Sequence, residues 1–98
     1  MIKRIVKMTF HPDKTGDFLR VFSENRKRIA AAEGCTHLEL WNDISNPSVF
    51  FTFSIWKEEK YLEQYRMSEL FNTVWGKTKI LFAAKPEAWS VKVEGENQ

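Results

Sequence analysis

Cysteine is almost absent from this chain: Cys35 is the only one in 98 residues. That excludes an intrachain disulfide and any metal site built from cysteines alone, and it fits a reducing compartment. Glycine occurs only at positions 16, 34, 76 and 95, so there is no G-x-G-x-x-G fingerprint and no P-loop to cradle phosphates. No H-E-x-x-H pair occurs, and His11 and His37 do not lie at metal-ligand spacing from each other or from Cys35. No apolar run approaches the roughly 18–20 residues that a bilayer crossing needs. The opening MIKRIVKMTF alternates charge with apolar residues and does not read as a secretion signal. Excess charge is also missing, with 15 basic against 13 acidic side chains and a net charge of +2. Bulk charge therefore gives no reason to expect a nucleic-acid partner. The expectation is a cytoplasmic protein with no membrane partner, no metal and no organic cofactor.

Apolar and aromatic side chains, by contrast, are plentiful. They make up 43% and 14% of the chain, too much for a disordered segment and enough for one small domain. We place that domain at residues 2–93, with EGENQ (94–98) as a polar tail.

The patterning gives an element order. In IKRIVKMTF (2–10), Ile2, Arg4, Val6, Met8 and Phe10 share one face and Lys3, Ile5, Lys7 and Thr9 the other, which predicts a strand. Pro12 and Asp13 stop it and start a helix. Phe18, Phe22, Asn25, Ile29 and Ala32 follow at helical steps, and Gly34 is a candidate C-cap. THLELWND (36–43) alternates, with Leu38 and Leu40 opposite His37, Glu39 and Trp41. ISNPS is turn chemistry. VFFTFSIW (49–56) then completes a hairpin, with Val49, Phe51, Phe53 and Ile55 opposite Phe50, Thr52, Ser54 and Trp56. Residues 58–67 predict a short helix presenting Leu62 and Tyr65. Ser68 can cap a second one carrying Leu70, Phe71, Val74, Trp75 and Thr78. EAWSVKV (87–93) is the last strand, with Trp89, Val91 and Val93 on one face.

The order β-α-β-β-α-β implies an α+β ferredoxin-like fold with a four-stranded antiparallel sheet and its helices on one face. The third strand is apolar on both faces, and Trp41 and Trp56 lie opposite the main apolar sets of their strands. A sheet covered on one side should read polar on the other. The expected cover is a second copy of the chain, sheet against sheet, making a homodimer.

Two stretches carry a resemblance to a known family: AAEGCTHLELW (31–41), where a helix ends at E-G-C before a strand, and SIWKEEKYLEQY (54–65), a strand ending in Trp56 and followed at once by an acidic helix. Over about residues 2–93 the chain resembles the antibiotic biosynthesis monooxygenase family, with its dimeric α+β barrel. The resemblance implies a ligand bound between sheet and helices, and an activity drawn from quinol monooxygenases, cofactor-free oxygenases of polyketide phenols or haem-degrading enzymes. The chain departs from these groups at several positions. Tyr65 stands where quinol-oxidising relatives tend to have a histidine nine residues after the strand-end tryptophan. Glu69-Leu70 stands for their Pro-His, and Ser54 for an acid. Trp75 occupies the place of the axial histidine of haem-degrading relatives, Met8 that of their first-strand asparagine, and Tyr65 that of their ring-distorting tryptophan. Haem degradation is therefore not expected.

Trp56, Tyr65 and Trp75, spaced nine and ten apart, are the candidate walls of a cleft, with Phe71 beside them. Tyr65 either donates a hydrogen bond to a phenolic substrate or is a core tyrosine whose hydroxyl reaches the surface or a backbone carbonyl. Trp56 and Trp75 either stack on a flat ligand or fill core and dimer volume. Ser54 and Met8 are candidate floor residues. His37 is a second catalytic candidate, since imidazole can act as a base near neutral pH and its face looks toward the expected dimer partner. Arg26–Arg28 read as a solvated face; Lys77, Lys79 and Lys85 read either the same way or as cations that bind an acidic group at a cleft mouth. The expected function is a homodimeric, cofactor-independent monooxygenase of a small phenol or hydroquinone aromatic, in which the electron-rich substrate reduces O2. The alternative is a dimeric domain that binds or senses such a molecule without consuming it.

Overall fold

The computed structural model describes residues 1–96; residues 97 and 98, the end of the expected polar tail, lie outside the described residues. Strand β1 (Ile2–Thr9) leads through a 3-10 turn at Pro12–Lys14 into α1 (Thr15–Ala30). Next come β2 (Cys35–Asn42), β3 (Val49–Trp56), α2 (Glu59–Arg66), α3 (Glu69–Lys79) and β4 (Glu87–Val91). All strand pairs are antiparallel and the sheet order is β2-β3-β1-β4, the ferredoxin-like arrangement.

Pro12 sits in the first turn of the 3-10 segment, where its missing N–H costs nothing, and the α-helix proper starts only at Thr15. On α1, Phe18, Phe22, Asn25 and Ile29 are buried at steps of four, three and four. Asn25 is polar but satisfied: its amide donates to the Val21 carbonyl at 2.7 Å and its oxygen accepts from Arg28. The hairpin turn is held by Asp43 and Asn46, whose side-chain oxygens accept the Ser45 and Ser48 N–H groups at 2.7 and 3.0 Å. Ser68 caps α3 by accepting from the Phe71 N–H at 3.1 Å, and so sets the break between α2 and α3.

Two expectations need correction. Gly34 is not the α1 C-cap. The helix ends at Ala30 with Ala31 as cap, and Gly34 follows three residues later at φ 84°, turning the chain into β2 beneath Tyr61. The last strand ends at Val91, so Val93 lies beyond it. The structure also assigns the faces of β3. Its helix-facing side is the less apolar one. Phe50, Thr52, Ser54 and Trp56 pair in register with Met8, Val6, Arg4 and Ile2 of β1, whereas Phe51, Phe53 and Ile55 pair with Lys7, Ile5 and Lys3 on the open face.

The dry core lies at one end of the helix-covered face. Met8, Phe10, Phe18, Phe22, Phe50 and Leu81 are buried there, with Val6, Leu38, Leu40 and Phe82 against them. Phe10 stacks on Phe18 at 4.3 Å between ring centroids and meets Phe50 and Phe82 at 6.0 and 5.4 Å. The open face is not polar. Trp41, on the β2 edge, stacks on Phe53 at 4.9 Å and is 39% exposed; on the opposite edge, β4, Trp89 and Val91 share this face and are 42% and 44% exposed. No helix of the described residues is long and apolar enough to cross a membrane.

Candidate functional site

Next to the dry core, with Met8, Phe18 and Phe22 shared between the two, the side chains of the helix-covered face do not close up. A cavity of about 300 Å3 remains between the sheet and α2–α3. Small and polar residues at mid-strand make room for it: Thr52 and Ser54 stand on β3 where Phe50 stands in the core. Along β1 the cavity-lining residues run Arg4, Val6, Met8, from charged to apolar.

The wall opposite is a relay of rings. Tyr65 stacks on Trp56 at 5.2 Å and meets Phe71 edge-on at 5.3 Å. Phe71 stacks on Trp75 at 5.8 Å, and Trp75 meets Phe82 at 5.5 Å. Helix geometry explains the row. Phe71 and Trp75 are four apart on α3 and Tyr65 is on the last turn of α2, so the Ser68 break lets two short helices present one aromatic surface.

Trp56 is 1% exposed, so its ring is part of the buried core as well as lining the cavity. Its indole N–H donates to Ser54 Oγ at 2.9 Å. Ser54→Ala is expected to leave that buried donor unpaired and to lower stability by roughly 1–3 kcal/mol, a loss of thermal midpoint readable by calorimetry. Tyr65 is different. No buried polar side-chain atom among the described residues lacks a partner, and no group among them pairs with Tyr65 Oη, so the hydroxyl is accessible on a residue that lines the cavity. Burial, and secondarily the neighbouring Cys35, push its pKa up to about 12, so the phenol stays protonated through the neutral range and acts as a donor. Cys35 reaches this side because of a β-bulge between Cys35 and His37, which pairs Cys35 with Trp56; burial raises its thiol pKa in turn.

Six of the residues singled out from sequence therefore gather around one cavity: Tyr65, Trp56, Trp75, Ser54, Met8 and Phe71. His37 does not join them. It lies on the open face of the sheet, exposed, edge-on to Phe53 at 6.1 Å and paired with Glu39. Glu39 also accepts from the Trp41 indole at 2.8 Å. These two hydrogen bonds, Trp41's the larger, hold its carboxyl below the usual carboxylate range. His11 is exposed, as are Arg26–Arg28, Lys77, Lys79 and Lys85. No cluster of three or more His, Cys, Asp or Glu side chains gathers among the described residues.

Sequence reasoning missed Arg4 and Arg66, which also line the cavity. Arg4 had a visible signal: it is the one charged residue on the apolar face of β1, between Ile2 and Val6. Arg66 had none, because an arginine ending a helix is ordinary chemistry for a C-terminus.

Searches among known proteins agree with this architecture. A model of the antibiotic biosynthesis monooxygenase family matches residues 1–74. No curated protein matches the chain by sequence. Among solved structures, a conserved protein from Methanosarcina mazei superposes with a TM-score of 0.89 at 20% identity, covering 93% of this chain and 90% of that one. A structure described as an antibiotic biosynthesis monooxygenase gives 0.91 at 16% identity, covering 97% and 100%. A Mycobacterium tuberculosis protein gives 0.88 at 13%, covering 99% and 98%. At such identities the superpositions establish the fold. The family match spans three of the four strands and most of the aromatic wall, and by it this chain belongs to the antibiotic biosynthesis monooxygenase family.

Proposed function

We propose that this chain is a monooxygenase that oxidises a small phenol or hydroquinone bound in the cavity between sheet and helices, with the substrate itself supplying the electrons. The observation that carries this reading is the cavity: about 300 Å3, enough for a one- to three-ring aromatic, walled by Tyr65, Phe71 and Trp75 and floored by Ser54 and Met8. The substrate anion transfers an electron to O2, and the resulting radical pair joins to form a C–O bond. The ring carbon loses its proton, and cleavage of the O–O bond with proton uptake releases water. For a hydroquinone the balance is one O2 consumed, one oxygen atom kept in a hydroxyquinone and one leaving as H2O. The chain's part is to hold the ring flat, donate from Tyr65 Oη to the substrate oxygen, and keep bulk water from the reactive intermediate.

We further propose that the working unit is a homodimer. Trp41, Phe53, Trp89 and Val91 form an apolar open face that a second sheet would cover. Sedimentation at micromolar concentration is expected to give a dimer, and Phe53→Glu to shift it toward monomer.

One observation favours a second reading. Among the described residues, the cavity has no histidine, and Glu87 is the one acidic residue that lines it. A site without a general base suits a domain that binds or senses the aromatic without consuming it. Dissolved-oxygen uptake by the purified protein with hydroquinones, naphthols and anthrone-type phenols separates the two. Uptake above autoxidation supports the enzyme; tight binding of a compound without uptake supports the sensor.

A further inference from the structure

Arg4 is an unusual wall for an aromatic pocket. It sits on the cavity side of β1, in register with Ser54 of β3 and Ser90 of β4. It is half-buried, and its Nη1 donates to Ser90 Oγ at 2.9 Å. None of the ion pairs among the described residues includes it. A guanidinium offers five donors, so most of Arg4's remain unused by the protein. Arg66, from the end of α2, lines the same cavity and is ion-paired with Glu63 at 3.3 Å, so that it supports a ligand anion only in addition to that pair. Glu87 also borders it, but pairs in register with Lys7 on the open face. Burial first, then the nearby positive charge of Arg66, lower the Arg4 pKa, with Glu63 acting in the opposite sense. A half-buried cation with no carboxylate paired to it among the described residues is costly, and an anion placed against it offsets that cost.

We propose that the ligand is an aromatic acid: a carboxylate held by Arg4 and supported by Arg66, with its ring lying among Tyr65, Phe71 and Trp75. A carboxylate matches the planar fork of a guanidinium in a way that a single phenolate oxygen does not. The order Arg4, Val6, Met8 along β1 then gives the ligand a fixed polarity, acid toward the start of β1 and ring toward the core. The inference rests on the reading that this cavity is the ligand site, and it names the substrate class.

The test compares 1,4-dihydroxy-2-naphthoate with its methyl ester, which keeps shape and acceptors but loses the charge. Binding is read by quenching of tryptophan fluorescence under nitrogen, and turnover by oxygen uptake. The wild-type chain is expected to bind the acid at least tenfold more tightly than the ester, with the advantage shrinking as salt is raised. Arg4→Met is expected to bring the acid down to the ester's affinity, and Arg4→Lys to keep part of the preference. The wild-type comparison and its salt dependence decide the matter even if Arg4→Met fails to fold. Equal binding of acid and ester, with oxygen uptake from both, overturns the inference and leaves the oxygenase reading standing. Preference for the acid without uptake keeps the inference and removes the oxygenase. Binding of neither overturns both. An Arg4→Met variant that folds and still prefers the acid assigns Arg4 to anchoring β4 through Ser90 and overturns its role here.

Discussion

Tyr65→Phe is expected to cut turnover by about 100-fold while moving the thermal midpoint little. The magnitude is that of removing one well-placed donor from a site where charge develops on oxygen. The midpoint should hold because the packing of Tyr65 lies in its ring, which stacks on Trp56 and meets Phe71, and phenylalanine keeps both contacts. Its hydroxyl pairs with no group among the described residues, so nothing among them is orphaned when it goes. Equal losses of activity and stability would instead make Tyr65 a structural residue. The same variant carries an alkaline signature. The phenol ionises near pH 10 in the unfolded chain and at about 12 in the folded one. Stability is unaffected by this group below pH 10 and falls between pH 10 and 12, by roughly 2 kcal/mol, because the unfolded chain gives up its proton first. Tyr65→Phe should remove that part of the alkaline loss, which denaturant titrations at pH 9 and 11.5 would detect.

Gly34→Ala is expected to be the most damaging single substitution on the path to the site, costing about 3 kcal/mol. A φ of 84° is strained for any L residue with a Cβ, by about 1–2 kcal/mol. The new methyl would also run into the Tyr61 ring, and displacing a packed ring costs a further 1–3 kcal/mol. For a domain of this size the thermal midpoint should drop by roughly 15 °C. Tyr61 lies one turn before Tyr65 on α2, and the Gly34 carbonyl accepts the Lys57 N–H at 2.8 Å just ahead of that helix. Close approach at Gly34 therefore sets where α2, and with it the Tyr65 hydroxyl, meets the sheet. Gly16→Ala serves as the control. A Cβ there meets nothing within 4 Å, and the position is in the first turn of α1, so a small gain in stability is expected.

Much of this architecture was legible because local signals agreed with one another. Alternation marked all four strands, the Ser68 cap marked the break that aligns Tyr65 with Phe71 and Trp75, and the order of elements left one plausible sheet. The faces of β3 were harder. Counting apolar residues picks out Val49, Phe51, Phe53 and Ile55, yet Phe51, Phe53 and Ile55 point to the open side, because a cavity floor needs small polar residues such as Thr52 and Ser54. The same cause hid Arg4. Its presence on an apolar face becomes meaningful only once Val6 and Met8 are seen to continue the same cavity wall. Gly34 showed its need for a left-handed backbone but not its location in the turn, which depends on Tyr61, 27 residues later in sequence. His37 was placed on the correct strand face; its distance from the cavity follows from that face being the open one.

The most direct test of oxygenation in this cavity is isotope incorporation. The protein would be incubated with 1,4-dihydroxy-2-naphthoate, or with whichever panel compound it binds, under 18O2 in ordinary water, and the product weighed by mass spectrometry against a protein-free control. The expected product gains one 18O atom, with the second recovered as labelled water, and is lost in Tyr65→Phe. A product formed no faster than in the control, or one carrying oxygen from solvent, would contradict it.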